Sequence, residues 1–296
     1  MGDAREPEQE IYPLARDEAE SRLNAQHNFI VQATEGLINS AIPLDKISTV
    51  ADVGTGTGIW LLEARKLLDT EFPSEPGSDR YFHGFDISPA QFIPSPPEGV
   101  ELSVHDILKP FPPEHHNRYD LVNVRMLVAA LTEPDYRTAV RNLTEILKPG
   151  GYLQWIELDC TNLPNSAECK DPHAAWLINS WLGFLNLNNL LVSPAPTLQD
   201  AYEKSGLLDV SNKSYPVSDR GDNLTVKAQK WQMHAFSSVI PLMMLRTAQV
   251  KTVEEGREKV GAEIRGLVGL FNEGAVIQLG FVSVVGRKDR DGDLVS

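Results

Sequence analysis

Cysteine is scarce in this chain: two residues, Cys160 and Cys169, among 296. That excludes a disulfide-built scaffold, and both thiols are expected to be reduced. Long apolar runs are missing as well. No stretch reaches the roughly 18–20 residues that a membrane-spanning helix needs, so no membrane partner is expected. The first residues, MGDAREPEQEIYPLARDEAE, are acidic and polar rather than a basic segment followed by an apolar one. They read as lacking a secretory signal, and Glu6 stands where myristoylation requires Ser or Thr. A cytoplasmic protein, monomer or homodimer, is the resulting expectation. Positive charge is the third deficit. Lys and Arg number 27 against 41 Asp and Glu, a formal charge of −14. Such a surface repels a phosphate backbone, and the basic runs at 287–290 and 257–259 are too thin to reverse that, so no nucleic-acid partner is expected. HExxH and CxxC spacings are absent, and His115 and His116 read as solvated residues of a polar loop, so no metal is expected.

What is present is an ordinary globular balance, 42% hydrophobic and 23% charged, in a chain long enough to bury a core. Residues 14–40 carry a helical stripe of Leu23, His27, Ile30, Val31, Thr34, Leu37 and Ile38. Strands are predicted at 48–54, 81–86, 100–106, 119–124 and 151–159, with helices over 59–68 and 135–147 between them. Pro149 and Gly150 stop the second of these helices. Further helices are predicted over 172–193 and 225–249, a sixth strand near 207–217, and a closing edge strand at 275–288. Alternating strands and helices give an α/β fold, a parallel sheet with helices on both faces that binds ligands at the carboxyl ends of its strands. The chain is expected to form one domain: a helical lid (1–45), a core (46–160), a helical cap carrying the sixth strand (161–274), the closing strand (275–288) and a tail (289–296).

Between the first strand and its helix lies Asp52-Val53-Gly54-Thr55-Gly56-Thr57-Gly58. Glycines there let the backbone approach a ligand, and the N–H groups opening the helix favour negative charge. The spacing is neither the GxGxxG of dinucleotide binders nor a P-loop, so the loop is not tuned for pyrophosphate. Asp86 ends the second strand, where a carboxylate can accept from ribose hydroxyls; an N-cap before Ser88-Pro89 is its alternative reading. Asp106 ends the third strand, placed for an adenine amino group or for capping a turn. A glycine loop, Asp and Asp on three successive strand ends describe a nucleoside site. Asp52 could simply cap the turn, but at a strand end an unpaired carboxylate is costly, and it is expected to order the ligand.

The segments VADVGTGTGIW, GFDIS, HDI, YDLVNVR and LTEILKPGGYLQWIE resemble successive motifs of class I methyltransferases that use S-adenosyl-L-methionine (SAM). Together with YPLARDEAESRLNAQHNFI, they are similar to the fungal secondary-metabolite methyltransferase family, which also includes a nuclear regulator of secondary metabolism. The resemblance covers residues 12–159. It implies a Rossmann-like, seven-stranded, mostly parallel sheet with the last strand antiparallel. It further implies that Gly54, Gly56 and Gly58 face the methionine part of SAM, with Asp52 keeping the family's acidic position. Asp86 with Ile87 would meet the ribose, and Asp106 with Ile107 the adenine. Asn123, Val124 and Arg125 would lie by the sulfonium and the substrate. Tyr12 and Arg22, with His27, would belong to a lid over SAM.

Methyl transfer from a sulfonium leaves a neutral thioether, so positioning can supply most of the acceleration, and a base is needed only for an acceptor that must lose a proton. His173 and His234 are the candidate bases; both also fit polar positions on packed helices. Trp176, Trp181, Trp231, Met233 and Phe236 of the cap are the candidate substrate-binding residues, at a spacing that equally suits packing. The expected acceptor is an apolar natural product, methylated at oxygen first and nitrogen next. Two rival readings keep the SAM site: a regulator acting through partners, and an enzyme of rearrangement or cyclisation without methyl transfer. A nicotinamide-dependent oxidoreductase is disfavoured by the missing GxxG continuation and Tyr-x-x-x-Lys pair.

Overall fold

The computed structural model describes residues 16–73, 80–163, 167–217 and 222–290. Helix α1 (Arg16–Ala33) is followed by β1 (Thr49–Val53), α2 (Ile59–Glu71), β2 (Tyr81–Asp86) and β3 (Val100–Val104). Then come β4 (Tyr119–Arg125), α3 (Glu133–Ile146), β5 (Leu147–Asp159), α4 (Pro172–Leu187) and α5 (Ala195–Lys204). The chain continues through β6 (Leu207–Pro216), α6 (Asp222–Arg246), α7 (Val253–Asn272) and β7 (Gly280–Lys288). The strands form one seven-stranded sheet in the order β3-β2-β1-β4-β5-β7-β6. β7 runs antiparallel to both neighbours, and the pairings among β1 to β5 are parallel. The strand order reverses between β1 and β4, which opens a crevice at their carboxyl ends.

Local chemistry explains the helices. α3 starts at Thr132, whose side chain and the Asp135 carboxylate cap each other's backbone ends, with Pro134 in the first turn. Its stripe of Tyr136, Ala139, Val140, Leu143 and Ile146 is fully buried against the sheet, at about 2 kcal/mol for each large apolar side chain removed from water. α1 stops at Ala33, short of the predicted 40. Glu35 takes φ 64 and the Gly36 amide bonds back to the Val31 carbonyl (2.9 Å), a left-handed cap that ends the helix. Leu37 still reaches the core, and its carbonyl accepts from Trp60 Nε1 (3.1 Å) and Gln154 Nε2 (3.2 Å). α4 likewise ends at Leu187 rather than 193, with Asn189 at φ 54.

The predicted closing edge strand is a correction. β7 lies between β5 and β6, buried along 281–286, and β6 is the edge. Its run Phe281-Val282-Ser283-Val284-Val285 is buried on both faces because both are covered, with Ser283 Oγ accepting from Asn39 Nδ2. β6 instead exposes Asn212, Lys213 and Ser214, as a sheet edge does. The helix α7 escaped the sequence reading; Gly256, Gly261, Gly266 and Gly269 interrupt its pattern. Two of these glycines are contact points. A Cβ on Gly256 would fall 3.0 Å from Pro241 Cα in α6, and one on Gly266 only 2.2 Å from His173 Cδ2 in α4. Within 161–274, α4, α6 and α7 share an apolar layer with α1, whereas α5 joins the cluster of α3 on the opposite face.

Candidate active site

The site grows from the β1–α2 turn. Gly54, Gly56 and Gly58 all take positive φ (73°, 55° and 79°), where a side chain would be strained. The Gly54 and Thr55 amides both donate to the Phe85 carbonyl at 2.8 and 2.9 Å, tying the loop to the end of β2. A Cβ on Gly54 would lie 3.3 Å from Leu127, and one on Gly56 3.5 Å from Leu23. The loop is therefore held between the exit of β4 and helix α1.

Beneath it runs a buried polar ladder. Thr55 Oγ1 donates to one Asp52 carboxylate oxygen and Asn123 Nδ2 to the other, each at 2.7 Å. Gln154 Nε2 donates to Asn123 Oδ1 (2.9 Å), and Gln154 Oε1 accepts the Asn39 amide (2.6 Å). Asp52, Asn123 and Gln154 are register partners on β1, β4 and β5, which puts them on one face at one level. Burial raises the Asp52 carboxyl pKa, opposed by the Arg125 charge and by these hydrogen bonds. Thr55 fits because β2 offers Gly84, where a Cβ would stand 2.9 Å from the Thr55 hydroxyl. Asp52 thus orders the loop, with Asn123 and Val124 sealed in the sheet.

The next two strand ends face the same crevice. Asp86 accepts the Gly56 amide (2.8 Å) on one oxygen and the Ser88 amide (3.2 Å) on the other, while burial raises its pKa against these bonds. Ile87 beside it is 71% exposed. Asp106 accepts the Leu108 amide at 2.9 Å through Oδ1, and the Ile107 carbonyl accepts from Asn142.

Arg125 closes the third side. Its Nη2 donates to His27 Nδ1 at 3.2 Å, and His27 Nε2 meets Glu63 Oε2 at 2.9 Å. With Nδ1 accepting, Nε2 carries the proton and donates to Glu63. Burial, then the Arg125 charge, lowers the His27 pKa, which keeps the ring neutral. Burial also lowers Arg125 to about 10, against the pull of Asp52 and Glu63. Met126 follows at φ 61. That turn is pinned by Glu157, fully buried on β5. Its carboxylate accepts from the Leu127 amide (2.8 Å), the Val128 amide (3.1 Å), Trp155 Nε1 (2.9 Å) and the Tyr136 hydroxyl (3.2 Å). Burial outweighs these bonds and lifts its pKa to about 7.

The family described as "Methyltransferase domain" matches residues 25–212, well over half of the chain. The chain belongs to the methyltransferase-domain family. A Penicillium methyltransferase, grgD, is 44% identical over 53% of this chain and 55% of its own length. The N-methyltransferase sirN of Leptosphaeria maculans is 38% identical over 49% of each chain. The secondary metabolism regulator LAE1 of Hypocrea atroviridis is 30% identical over 51% of this chain and 40% of its own. The domain spans about half the length of these curated relatives. Among solved structures, a Haloferax volcanii methyltransferase in complex with the Trm112 activator aligns over 96% of this chain and all of its own, with TM-score 0.53 and 16% identity. That likeness shows the fold alone.

Of the residues expected in the site of this methyltransferase domain, the glycines, Asp86, Asp106 and Arg125 stand at the strand ends around the β1–β4 crevice, Asp52 and Asn123 lie buried beneath the loop, and Val124 is sealed in the sheet. Tyr12 lies outside the described residues. Arg22 is on α1, with Nη1 3.3 Å from Gln26 Oε1. Trp231 packs on Phe29 of α1 and Phe281 of β7, with centroids 5.5 and 5.9 Å away, and Trp181 Nε1 donates to Cys160 Sγ. Trp176 and Met233 border the same layer, and Phe236 is buried in it. His173 Nδ1 lies 2.7 Å from Glu263 Oε2 of α7, and His234 is exposed on α6.

His115, read as solvated, is buried: its Nδ1 meets the Tyr119 hydroxyl at 2.8 Å, and it stands edge-on to His83 and Phe85. Burial pushes His83 down to about 3 and lowers His115. Sequence reasoning missed Glu157 and Gln154. Glu157 left a signal, a lone carboxylate among apolar residues on an otherwise buried strand. The His27–Glu63 pairing, 36 residues apart, left none. Among the described residues no helix is long and apolar enough to cross a membrane, and no group of three or more His, Cys, Asp or Glu could hold a metal ion.

Proposed function

We propose that this domain transfers a methyl group from SAM to a small-molecule natural product of fungal secondary metabolism. The carrying observation is the Gly56–Asp86 hydrogen bond, which joins the glycine loop and the β2 carboxylate in one wall of the switch-point crevice. The residues fit the cofactor. Asp86 and the second oxygen of Asp106 offer acceptors for ribose hydroxyls and an adenine amino group, Ile87 offers an exposed apolar face, and Arg125 keeps a buried donor. When bound, the cofactor supplies an electrophilic methyl on a sulfonium whose departure leaves a neutral thioether. The domain's own work is then positioning. Asp52 and Thr55 fix the loop, Glu157 fixes the β4 exit, and α1 with Leu23 and His27 covers the loop.

A nitrogen acceptor is supported by relatives named as N-methyltransferases; the oxygen acceptor favoured by the sequence reading is the alternative. A neutral amine needs no base before attack, whereas a hydroxyl does. His27 cannot serve, because both ring nitrogens are engaged. For an acceptor that must lose a proton, the base is assigned to His173, whose Nδ1–H on Glu263 leaves Nε2 free to accept; His234 is the second choice. Trp176, Trp181, Trp231, Met233 and Phe236 are assigned to the acceptor side. A regulator that binds SAM without turnover is the second reading, motivated by the LAE1 relative.

The test is calorimetric titration of SAM and S-adenosylhomocysteine into wild type and Asp86→Ala, followed by tritiated-methyl transfer to amine- and phenol-bearing natural products. Micromolar binding lost in the variant, with label transferred, is expected. Binding without transfer to any acceptor favours the regulator, and no binding by folded wild type removes the reading.

A further inference from the structure

We propose that Arg125 is the carboxylate-binding residue of this site, gripping the α-carboxylate at the amino-acid end of the cofactor; this rests on the SAM reading above. Arg125 is level with the glycine loop by register: its predecessor Val124 pairs with Val53, so Arg125 stands beside Gly54. Its guanidinium is divided. Nη2 donates to His27 Nδ1. Nη1 is shut away from solvent and has no hydrogen-bond partner. A buried charged donor left without an acceptor is costly, so such an atom calls for an anion.

The charged neighbours do not supply one. Asp52 and Glu63 are the two carboxylates that hold the guanidinium's charge. Neither hydrogen-bonds Nη1: the Asp52 oxygens face Thr55 and Asn123, and Glu63 Oε2 accepts from His27. The imidazole cannot turn to help, since its tautomer is fixed from both sides.

The chemistry of the anion follows from the donor. A planar guanidinium fork matches a planar carboxylate, and charge-assisted pairs of this kind are the strong ones. The loop beside it lacks the pyrophosphate spacing, and the chain's charge of −14 repels anions at large. A carboxylate carried in on an otherwise well-bound nucleoside fits both facts. Arg125 also joins two elements, because Nη2 holds α1 through His27 while Nη1 is reserved for the ligand. The helix over the loop and the ligand's amino-acid end thus share one side chain.

The test compares S-adenosylhomocysteine with 5′-methylthioadenosine, which keeps the adenosine and thioether and lacks the amino-acid end. Both are titrated calorimetrically into wild type, Arg125→Met and Arg125→Lys. Wild type is expected to prefer S-adenosylhomocysteine. Arg125→Met is expected to lose about ten- to hundredfold in affinity for it, with the affinity for 5′-methylthioadenosine within about twofold. Arg125→Lys keeps the charge without the fork and is expected to fall between, which preserves the test if the methionine variant does not fold. Equal weakening of both ligands, or unchanged preference in either variant, overturns the proposal while the SAM reading stands. Wild type binding neither nucleoside removes both.

Discussion

Two regions of this domain are built from different materials. Around the glycine loop, polar groups are buried and matched one to one: Thr55 to Asp52, Asp52 to Asn123, Asn123 to Gln154, Gly56 to Asp86. The layer of α1, α4, α6 and α7 is held instead by apolar and aromatic packing, with Phe29, Trp231, Phe236 and Met243 among its members. Hydrogen bonds have direction and reach, so they fix which residue stands where along the chain. Packing is satisfied by many side chains of similar volume. Under the proposed function, a cofactor of constant shape suits the first kind of wall, and acceptors of varied shape suit the second.

Glu157 gives the sharpest way to break this contrast. Replacing it with Ala strands two amides, an indole N–H and a phenol, and a loss of about 4 kcal/mol is expected in urea unfolding. The Arg125–Val128 turn loosens with it, so S-adenosylhomocysteine affinity is expected to fall in parallel. Phe236→Ala is the counterpart in the apolar layer. A loss of about 3 kcal/mol is expected, yet cofactor affinity of the folded protein stays within about threefold. If Phe236→Ala weakens the cofactor as much as Glu157→Ala does, the two walls are not separable.

Acid sharpens the comparison further. His83 titrates in the folded protein at about 3 because burial disfavours its cation. Its contribution is complete above pH 6.5 and is lost as pH falls toward 3. Glu157, held near 7 by burial, has the opposite sign: its contribution is complete below pH 4.5 and is lost as pH rises through 7. His27, His105 and His115 share the first sign, and Asp52 and Asp86 the second. Between pH 6.5 and 4.5 the two slopes oppose. Glu157→Gln is expected to steepen the loss of stability on acidification, and His83→Gln to flatten it, each by about 1.4 kcal/mol per pH unit. Urea midpoints across that range check both; parallel profiles for wild type and variants contradict the assignment. The smallest effect is at the surface. Lys213→Ala removes the exposed pair with Glu35 (2.7 Å), and the thermal midpoint is expected to move by less than about 1 °C.

The same contrast governs what the sequence reveals. Strands β1 to β5 and the crevice they form are legible because each is a β-type run, closed in β1, β2, β3 and β5 by a glycine or an aspartate within a few residues. Asp86 and Asp106 could be located by position alone. The Arg125–His27–Glu63 chain could not, since it joins three elements by contacts with no fixed spacing. α7 was hidden for a related reason: its glycines serve close approach to α4 and α6, a tertiary demand that overrides helix propensity. The place of β7 was also beyond reach. Alternation in its sequence is compatible with an edge or an interior strand, and only the double covering of its faces decides between them.

The insertion of β7 has a consequence for how the protein is made. β5 and β6 are synthesised long before residues 280–288, and the gap between them can be filled only by that late segment. A chain emerging from the ribosome therefore carries two open strand edges until its final strand appears. Closure then requires a long-range, antiparallel threading step, the kind that is slow and exposes chains to aggregation. A nascent chain stalled before residue 280 would present both edges to chaperones and proteases.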